Sequence, residues 1–180
     1  SSGAPQHAGL RFVEVNLSTV QCMDTQLPER LLSIAEGYGV SPSEINLEIT
    51  ESAMVYSMNT MRSVMEELTK DGFSFALDDF GTGRANLSYL QNFPFRIIKV
   101  DKSFLWADGE SEDNHVIFEN MLSLIRGLRR EAVAEGVETK EQRDMLISHG
   151  VEYLQGFYYS KPVPEQEFMK YLEEFEAAKQ

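Results

Sequence analysis

The sequence predicts an α/β fold built on a mostly parallel sheet, and three observations predict it. Short apolar, β-branched or aromatic runs alternate along the chain with segments of helical spacing. Ionisable or amide side chains stand at the C-terminal end of each such run. One of those ends carries Asp78-Asp79-Phe80-Gly81-Thr82-Gly83, two adjacent carboxylates leading into a glycine-rich turn.

Taken in order, the first run is Phe12–Val15, closed by Asn16. A helix over Leu27–Tyr38 follows, with Leu31, Leu32, Ile34 and Ala35 at helical spacing. Ile45–Ile49 reads as the second strand and delivers Glu48 and Glu51. The helix over Met58–Lys70 carries Met61, Val64, Met65 and Leu68. Phe73–Leu77 is the third strand and ends at Asp78 and Asp79; Ile97–Val100 is the fourth, with Lys99 and Asp101 at its end. His115–Leu128 is helical by the spacing of Val116, Ile117, Met121, Leu124, Ile125 and Leu128. Ala132–Ala134 is the fifth strand, followed by Glu135 and Glu138. Thr139 and Gln142 form a capping box that opens a helix ending at His149-Gly150. Tyr153–Phe157 is the sixth strand, bearing Gln155, and Glu165–Ala178 is the terminal helix. Strands and helices alternating at this spacing imply βα units and hence a parallel sheet. Residues 1–10 read as a tag or disordered leader and 11–180 as one domain, with no low-complexity linker to divide it.

In parallel sheets and barrels the C-terminal edge of the strands is where active sites are built. Adjacent carboxylates at such an edge call for a cation, because an unpaired charge there is costly to desolvate. A carboxylate-rich set without thiols suits Mg²⁺ or Mn²⁺. Each residue also has a plainer reading. Asp-Asp before Gly is ordinary turn chemistry, and Asn16 and Glu48 fit a turn and a charged strand end. Glu51 fits a helix cap, Lys99 an exposed strand end, Glu135 and Glu138 a charged turn, and Gln155 a partner for buried backbone groups. Recurrence at successive strand ends is what favours a shared site. Phe157-Tyr158-Tyr159 and the methionines are read as core.

Bulk properties narrow the function. The 180 residues suffice for one domain with a sizeable core. A net charge of −13 without a basic stripe excludes a nucleic-acid polymer as partner. A small anion remains compatible, since bound metal inverts the local sign. Cys22 is the single cysteine, which excludes a disulfide framework and a thiolate zinc site. No apolar run approaches the roughly 18 residues of a membrane span. The expected location is the cytoplasm, either free or as the cytoplasmic part of a larger, membrane-attached protein.

Between Val13 and Pro164 the motifs resemble those of the EAL domain family, bacterial phosphodiesterases acting on cyclic di-GMP. The likeness rests on Val15-Asn16-Leu17-Ser18, Leu47-Glu48-Ile49-Thr50-Glu51, Asp78 through Gly83, Ile98-Lys99-Val100-Asp101, Val133 through Thr139 and Gln155 through Pro162, six motifs in order. The resemblance implies a (β/α)8 TIM-barrel-like fold that hydrolyses one phosphodiester of cyclic di-GMP to linear pGpG. It further implies a two-metal site of Mg²⁺ or Mn²⁺, with Asn16, Glu48 and Asp78 as ligands of one ion and Asp78 and Asp79 helping to hold the second. Lys99 corresponds to the lysine near the attacking water and Glu135 to the general base or water-orienting group, with Asp79 beside them. Glu51 corresponds to the residue that steadies the Asp-Asp-Phe-Gly loop, while Asp101, Glu138 and Gln155 complete the pocket wall. A homodimer through the loop after Asp79, and an upstream sensory or GGDEF domain, are further partners the resemblance suggests.

The chain departs from the family pattern early on. No Glu-Ala-Leu tripeptide occurs, and six βα units are visible where a closed barrel has eight. The first two strands and their helices are the expected missing part, and the chain by itself is expected to hydrolyse poorly. Arg84-Ala85-Asn86 stands where the family has an aromatic followed by serines. The alternative is an inactive EAL-like module that binds cyclic di-GMP or a protein. An unrelated Mg²⁺-dependent barrel lyase is disfavoured by the lack of a second base lysine.

Overall fold

Six strands, β1 (Val13–Asn16), β2 (Ile45–Thr50), β3 (Ser74–Phe80), β4 (Ile97–Val100), β5 (Glu131–Ala134) and β6 (Tyr153–Leu154), form one sheet in the computed structural model, which describes residues 10–51, 58–81, 87–105 and 112–177. Their spatial order is their chain order, and every neighbouring pair is parallel. A doubly wound sheet would reverse its order at a switch point; a sheet that only adds strands on one side is the arc of a barrel. The arc curls enough for Phe12, just before β1, to meet Tyr153 of β6 edge-on, with ring centroids 5.6 Å apart. Described helices are α1 (Thr19–Cys22), α2 (Leu27–Tyr38), α3 (Met58–Lys70), α4 (Leu87–Asn92), α5 (Lys102–Leu105), α6 (Glu112–Gly127), α7 (Lys140–Ser148) and α8 (Glu165–Ala177).

Alternation along the strands divides the fold into two apolar layers. On the helix-covered side Leu47, Ile49, Phe75, Leu77, Ile98, Val100, Ala132 and Ala134 are buried with Met61, Val64, Met65 and Leu68 of α3 and Phe118, Leu122 and Ile125 of α6. On the concave side Ala76, Ile97 and Val133 form a smaller cluster with Phe12 and Tyr153. Strand β1, at one edge, leaves Val13 and Val15 exposed. The predicted capping box at α7 is formed: Thr139 Oγ1 accepts the Gln142 N–H at 3.2 Å, and Gln142 Oε1 accepts the Thr139 N–H at 3.0 Å.

Three short helices, α1, α4 and α5, fall below the length at which apolar periodicity can be read. The first is nonetheless signed by a second capping box between Ser18 and Gln21. Strand β3 runs past Leu77 to Phe80, with a register shift between those residues. Strand β6, by contrast, stops at Leu154 instead of reaching Phe157. The reason lies at Gly156, where an added Cβ would sit 2.1 Å from the Val137 carbonyl oxygen. Val137 donates its N–H to Gln155 at 3.0 Å and accepts from Tyr158 at 2.9 Å, so the chain turns there. That turn corrects the reading of the aromatics: Tyr158 packs at the edge of the core, whereas Phe157 and Tyr159 are exposed. The Phe157 ring instead lies beside the Lys161 ammonium, 5.6 Å from its centroid.

The leader assigned to residues 1–10 falls, but for Leu10, outside the described residues. No described helix is long and apolar enough to cross a membrane.

Candidate active site

Strand β4 is buried along its whole length, and its inward-facing Lys99 is only 3% exposed. An ammonium in such a place must be surrounded by acceptors. It is: Lys99 Nζ lies 2.5 Å from Glu48 Oε1, 3.0 Å from Glu135 Oε1 and 3.3 Å from Asp78 Oδ1. These carboxylates come from β2, from the residue after β5, and from β3, so one lysine joins the ends of four strands. Burial alone would lower the lysine's pKa. The hydrogen bond to Glu48 and the charges of Glu135 and Asp78 outweigh it and hold the pKa above the ordinary value, so Lys99 is charged.

The register shift in β3 explains how adjacent aspartates reach one site. In a regular strand Asp78 and Asp79 would point to opposite faces. Asp79 instead has φ 57°, in the left-handed region that Asp tolerates better than most residues. Carboxylate oxygens of Asp78, Asp79 and Glu135 consequently lie within 4.8 Å of one another. Burial, then the neighbouring charges of Asp78 and Asp101, raises the Asp79 pKa. Burial likewise raises that of Glu135, with Lys99 opposing it and Asp78 and Asp79 adding to it.

The other predicted residues divide into near and remote. Asn16 is in register with Glu48 on the neighbouring strand and is exposed. Glu51 is buried just past β2; its Oε2 accepts the Gly81 N–H at 2.9 Å, which anchors the turn after Asp79. Asp101 accepts the Ser103 N–H at 2.9 Å at the start of α5; burial would raise its pKa, but hydrogen bonds from Ser103 and Lys102 bring it below the ordinary value. Glu138 is exposed at the entry to α7, where its N–H donates to Gln142 Oε1, and no ion pair links its carboxylate to the cluster. Gln155 is exposed and lines a cavity of about 350 Å³ with Phe12, Glu14, Tyr153 and Tyr159. Thr82-Gly83, Arg84-Ala85-Asn86 and the dimer contact placed on the loop after Asp79 lie outside the described residues.

Sequence reasoning missed Glu14 and Asn46. Both stand on the concave face, where Asn46 Nδ2 donates to Glu14 Oε1 at 2.9 Å. Burial first, and the Glu48 charge second, push the Glu14 carboxyl up to about 7, against the Asn46 hydrogen bond and the Lys99 charge. The available signal was parity: Glu14 is two residues before Asn16 and so shares its face.

Glu48, Asp78 and Glu135 thus set three carboxylates around one ammonium, with the Asp79 carboxylate beside Asp78 and Glu135. Asp78 Oδ1 is buried with no hydrogen bond, although it is ion-paired to Lys99. An excess of carboxylate oxygens over the one ammonium fits a hard divalent cation such as Mg²⁺ or Mn²⁺.

Comparison with known proteins bears on this geometry. The family model described as EAL domain matches residues 3–162. Cyclic di-GMP phosphodiesterase PdeL of Escherichia coli K12 is 37% identical over 157 residues, covering 87% of this chain and 43% of the relative. Among solved structures, the EAL domain of Mycobacterium smegmatis DcpA superposes with a TM-score of 0.84 at 33% identity, covering 91% of this chain and 73% of that one. Klebsiella pneumoniae BlrP1 in a manganese and cyclic di-GMP complex superposes with a TM-score of 0.78 at 30% identity, covering 86% of this chain and 40% of that one. The chain spans less than half the length of the curated relatives it matches, 20% in the case of signaling protein YkoW of Bacillus subtilis.

Proposed function

The chain belongs to the EAL domain family, and from that premise we propose that it is a divalent-metal-dependent phosphodiesterase domain that hydrolyses cyclic di-GMP to linear pGpG in bacterial second-messenger signalling. The observation that carries the reading is the meeting of Asp78, Asp79 and Glu135 oxygens within 4.8 Å, beside a buried Lys99, at the C-terminal edge of the sheet. Asn16, Glu48, Asp78 and Asp79 would hold Mg²⁺ or Mn²⁺. Bound there, the metal would supply Lewis-acid stabilisation of phosphoryl charge and a more acidic water.

The chain's own groups have distinct tasks. Linear pGpG carries a 5′-phosphate, so water adds to phosphorus while the P–O3′ bond breaks and the 3′-oxygen departs as the ribose hydroxyl, taking a proton from solvent. Glu135, with its pKa raised by burial, is the group suited to orient that water and take its proton. Lys99 fixes the Glu135 and Glu48 carboxylates through Nζ and adds positive charge where a phosphate approaches an acidic site. Glu51 acts at one remove, holding the turn at Gly81 so that Asp79 keeps its left-handed conformation.

The test is chromatographic detection of pGpG from cyclic di-GMP with Mg²⁺, with Mn²⁺ and with chelator. Product is expected only with metal, and Asp78→Asn should lower the rate at least about 100-fold. Product formed equally in chelator, or by Asp78→Asn, sinks the reading. Tight nucleotide binding in chelator without turnover under any condition would assign the domain to binding instead.

A further inference from the structure

We propose a second metal site, for a borderline transition ion of the zinc class, formed by His115, Glu119 and His149 on the outside of the fold. His115 and Glu119 are one turn apart on α6, and His149 caps the C-terminus of α7. One ligand atom from each lies within 4.8 Å of the other two. Glu119 Oε1 is 3.9 Å from His115 Nδ1 and 3.6 Å from His149 Nε2. Ligands at about 2.0–2.1 Å on a tetrahedral ion stand about 3.3–3.4 Å apart, so closure needs shifts of only an ångström or so.

Pairs of His and Glu one turn apart are common on helix surfaces. What singles this one out is the fixed third member. His149 Nδ1 lies 2.8 Å from the Met145 carbonyl oxygen, which can only accept, so Nδ1 carries the hydrogen and Nε2 faces Glu119. A ring hydrogen-bonded through one nitrogen to a backbone carbonyl is how metal-binding histidines are oriented. In the neutral ring Nε2 then presents its lone pair to a carboxylate oxygen, an arrangement that a cation between them resolves. The ring packs against Phe118, with centroids 6.0 Å apart, and the backbone beneath it is held by Arg126, whose guanidinium donates to the His149 carbonyl. The His115 ring stands edge-on to His149, centroids 5.5 Å apart.

Donor chemistry separates this site from the acidic one. Two imidazoles and one carboxylate suit Zn²⁺, Co²⁺ or Ni²⁺ and hold Mg²⁺ poorly. Three protein ligands leave a position open to water. The ligands come from two helices, so an ion there would pin the end of α7 to α6 and stabilise the fold by mass action. The inference stands independently of the phosphodiesterase reading.

Its test is calorimetric titration of the whole chain with Zn²⁺ in excess Mg²⁺, which occupies oxygen-donor sites. One Zn²⁺ is expected to bind, to raise the unfolding temperature, and to do both equally in Asp78→Asn, where the acidic site is impaired. His115→Ala and His149→Ala should each weaken binding at least about tenfold and remove the thermal shift, with circular dichroism unchanged; Glu119→Gln should weaken it less. A Zn²⁺ event of unchanged affinity in the His115→Ala/His149→Ala double variant, or no Zn²⁺ event in the wild type, overturns the site.

Discussion

Replacing Lys99 by Met keeps the length of the side chain and removes the charge that three carboxylates share. At an effective dielectric constant of about 20, a charge pair about 3 Å apart interacts by about 5–6 kcal/mol. Lys99 makes three such contacts, at 2.5, 3.0 and 3.3 Å. Most of that attraction is offset by desolvation of the ammonium and by repulsion among the carboxylates it gathers. The loss on breaking a buried pair is therefore nearer 3–5 kcal/mol, dominated by acids left uncompensated. For a chain of this size each kcal/mol moves the melting temperature by about 2–4 °C, so Lys99→Met should melt about 6–20 °C below the wild type. The assay is thermal unfolding by circular dichroism at pH 7.5 in chelator. In acid the penalty should shrink, because Glu135 and Asp79, whose pKa values burial raises, take up protons and no longer repel. Added Mn²⁺ should stabilise the variant more than the wild type, since the ion returns positive charge to the same acids. A loss under about 1 kcal/mol in chelator would refute the reasoning: the carboxylates would then be relaxing into water without their counter-ion.

Glu14 and Gly156 supply two further expectations. A carboxyl held near 7 in the folded chain, against an ordinary 4.5, contributes stability that is fully present below pH 4.5 and lost as pH rises through 7. Glu14→Gln cannot lose that proton, so it should flatten the wild-type decline across this window and be about 2 kcal/mol more stable at pH 8, allowing for partial solvent screening; parallel urea curves for the two proteins would show the carboxyl to be solvated. Gly156→Ala drives a methyl into the Val137 backbone and should cost at least about 3 kcal/mol, read as a fall in urea midpoint or in soluble yield, whereas Gly37→Ala, with open space beside it in α2, should be neutral or gain up to about 1 kcal/mol.

The alternation of parallel strands with helices and the identity of the central residues were legible because both follow from short-range pattern, whereas the barrel order of the strands was implied by the family resemblance. Runs such as Phe73–Leu77 and Ile97–Val100 read as buried strands, and polar residues at their ends converge once the strands are parallel. Glu48, Asp78, Lys99 and Glu135 were found this way, and Lys99 gathers the other three. The geometry that turns Asp79 toward Asp78 and Glu135 was not legible, since a left-handed φ at a non-glycine residue leaves no compositional mark. Strand-end reasoning also set Glu138 beside these residues, on the pocket wall. Glu138 follows Glu135 by three residues, but the chain has by then turned toward α7. It missed Glu14 because only strand ends were considered, although the inward parity extends back along the strand. The pair His115 and His149 is 34 residues apart in the chain and meets only through the packing of α6 beside α7.

Stability and chemistry are assigned to opposite faces of the same strands. On β4, Ile98 and Val100 face the helices and belong to the main core, while Ile97 and Lys99 face inward. On β3, Phe75 and Leu77 face the helices, and Ala76 faces inward below Asp78. The inward face is itself layered, with Ala76, Ile97, Val133, Phe12 and Tyr153 beneath the charged group. That apolar layer offers the carboxylates no hydrogen bonds on one side and so lowers the local dielectric. Lowering it strengthens their grip on Lys99 and also raises the cost of every acid left unpaired. The outer core, built of Leu47, Ile49, Phe75, Leu77, Ile98 and Val100 with the apolar faces of α3 and α6, can carry that cost without being altered by it. Substitutions at the site should accordingly change stability through charge and not through cavities, which is why an isosteric neutral residue at position 99 separates the two mechanisms.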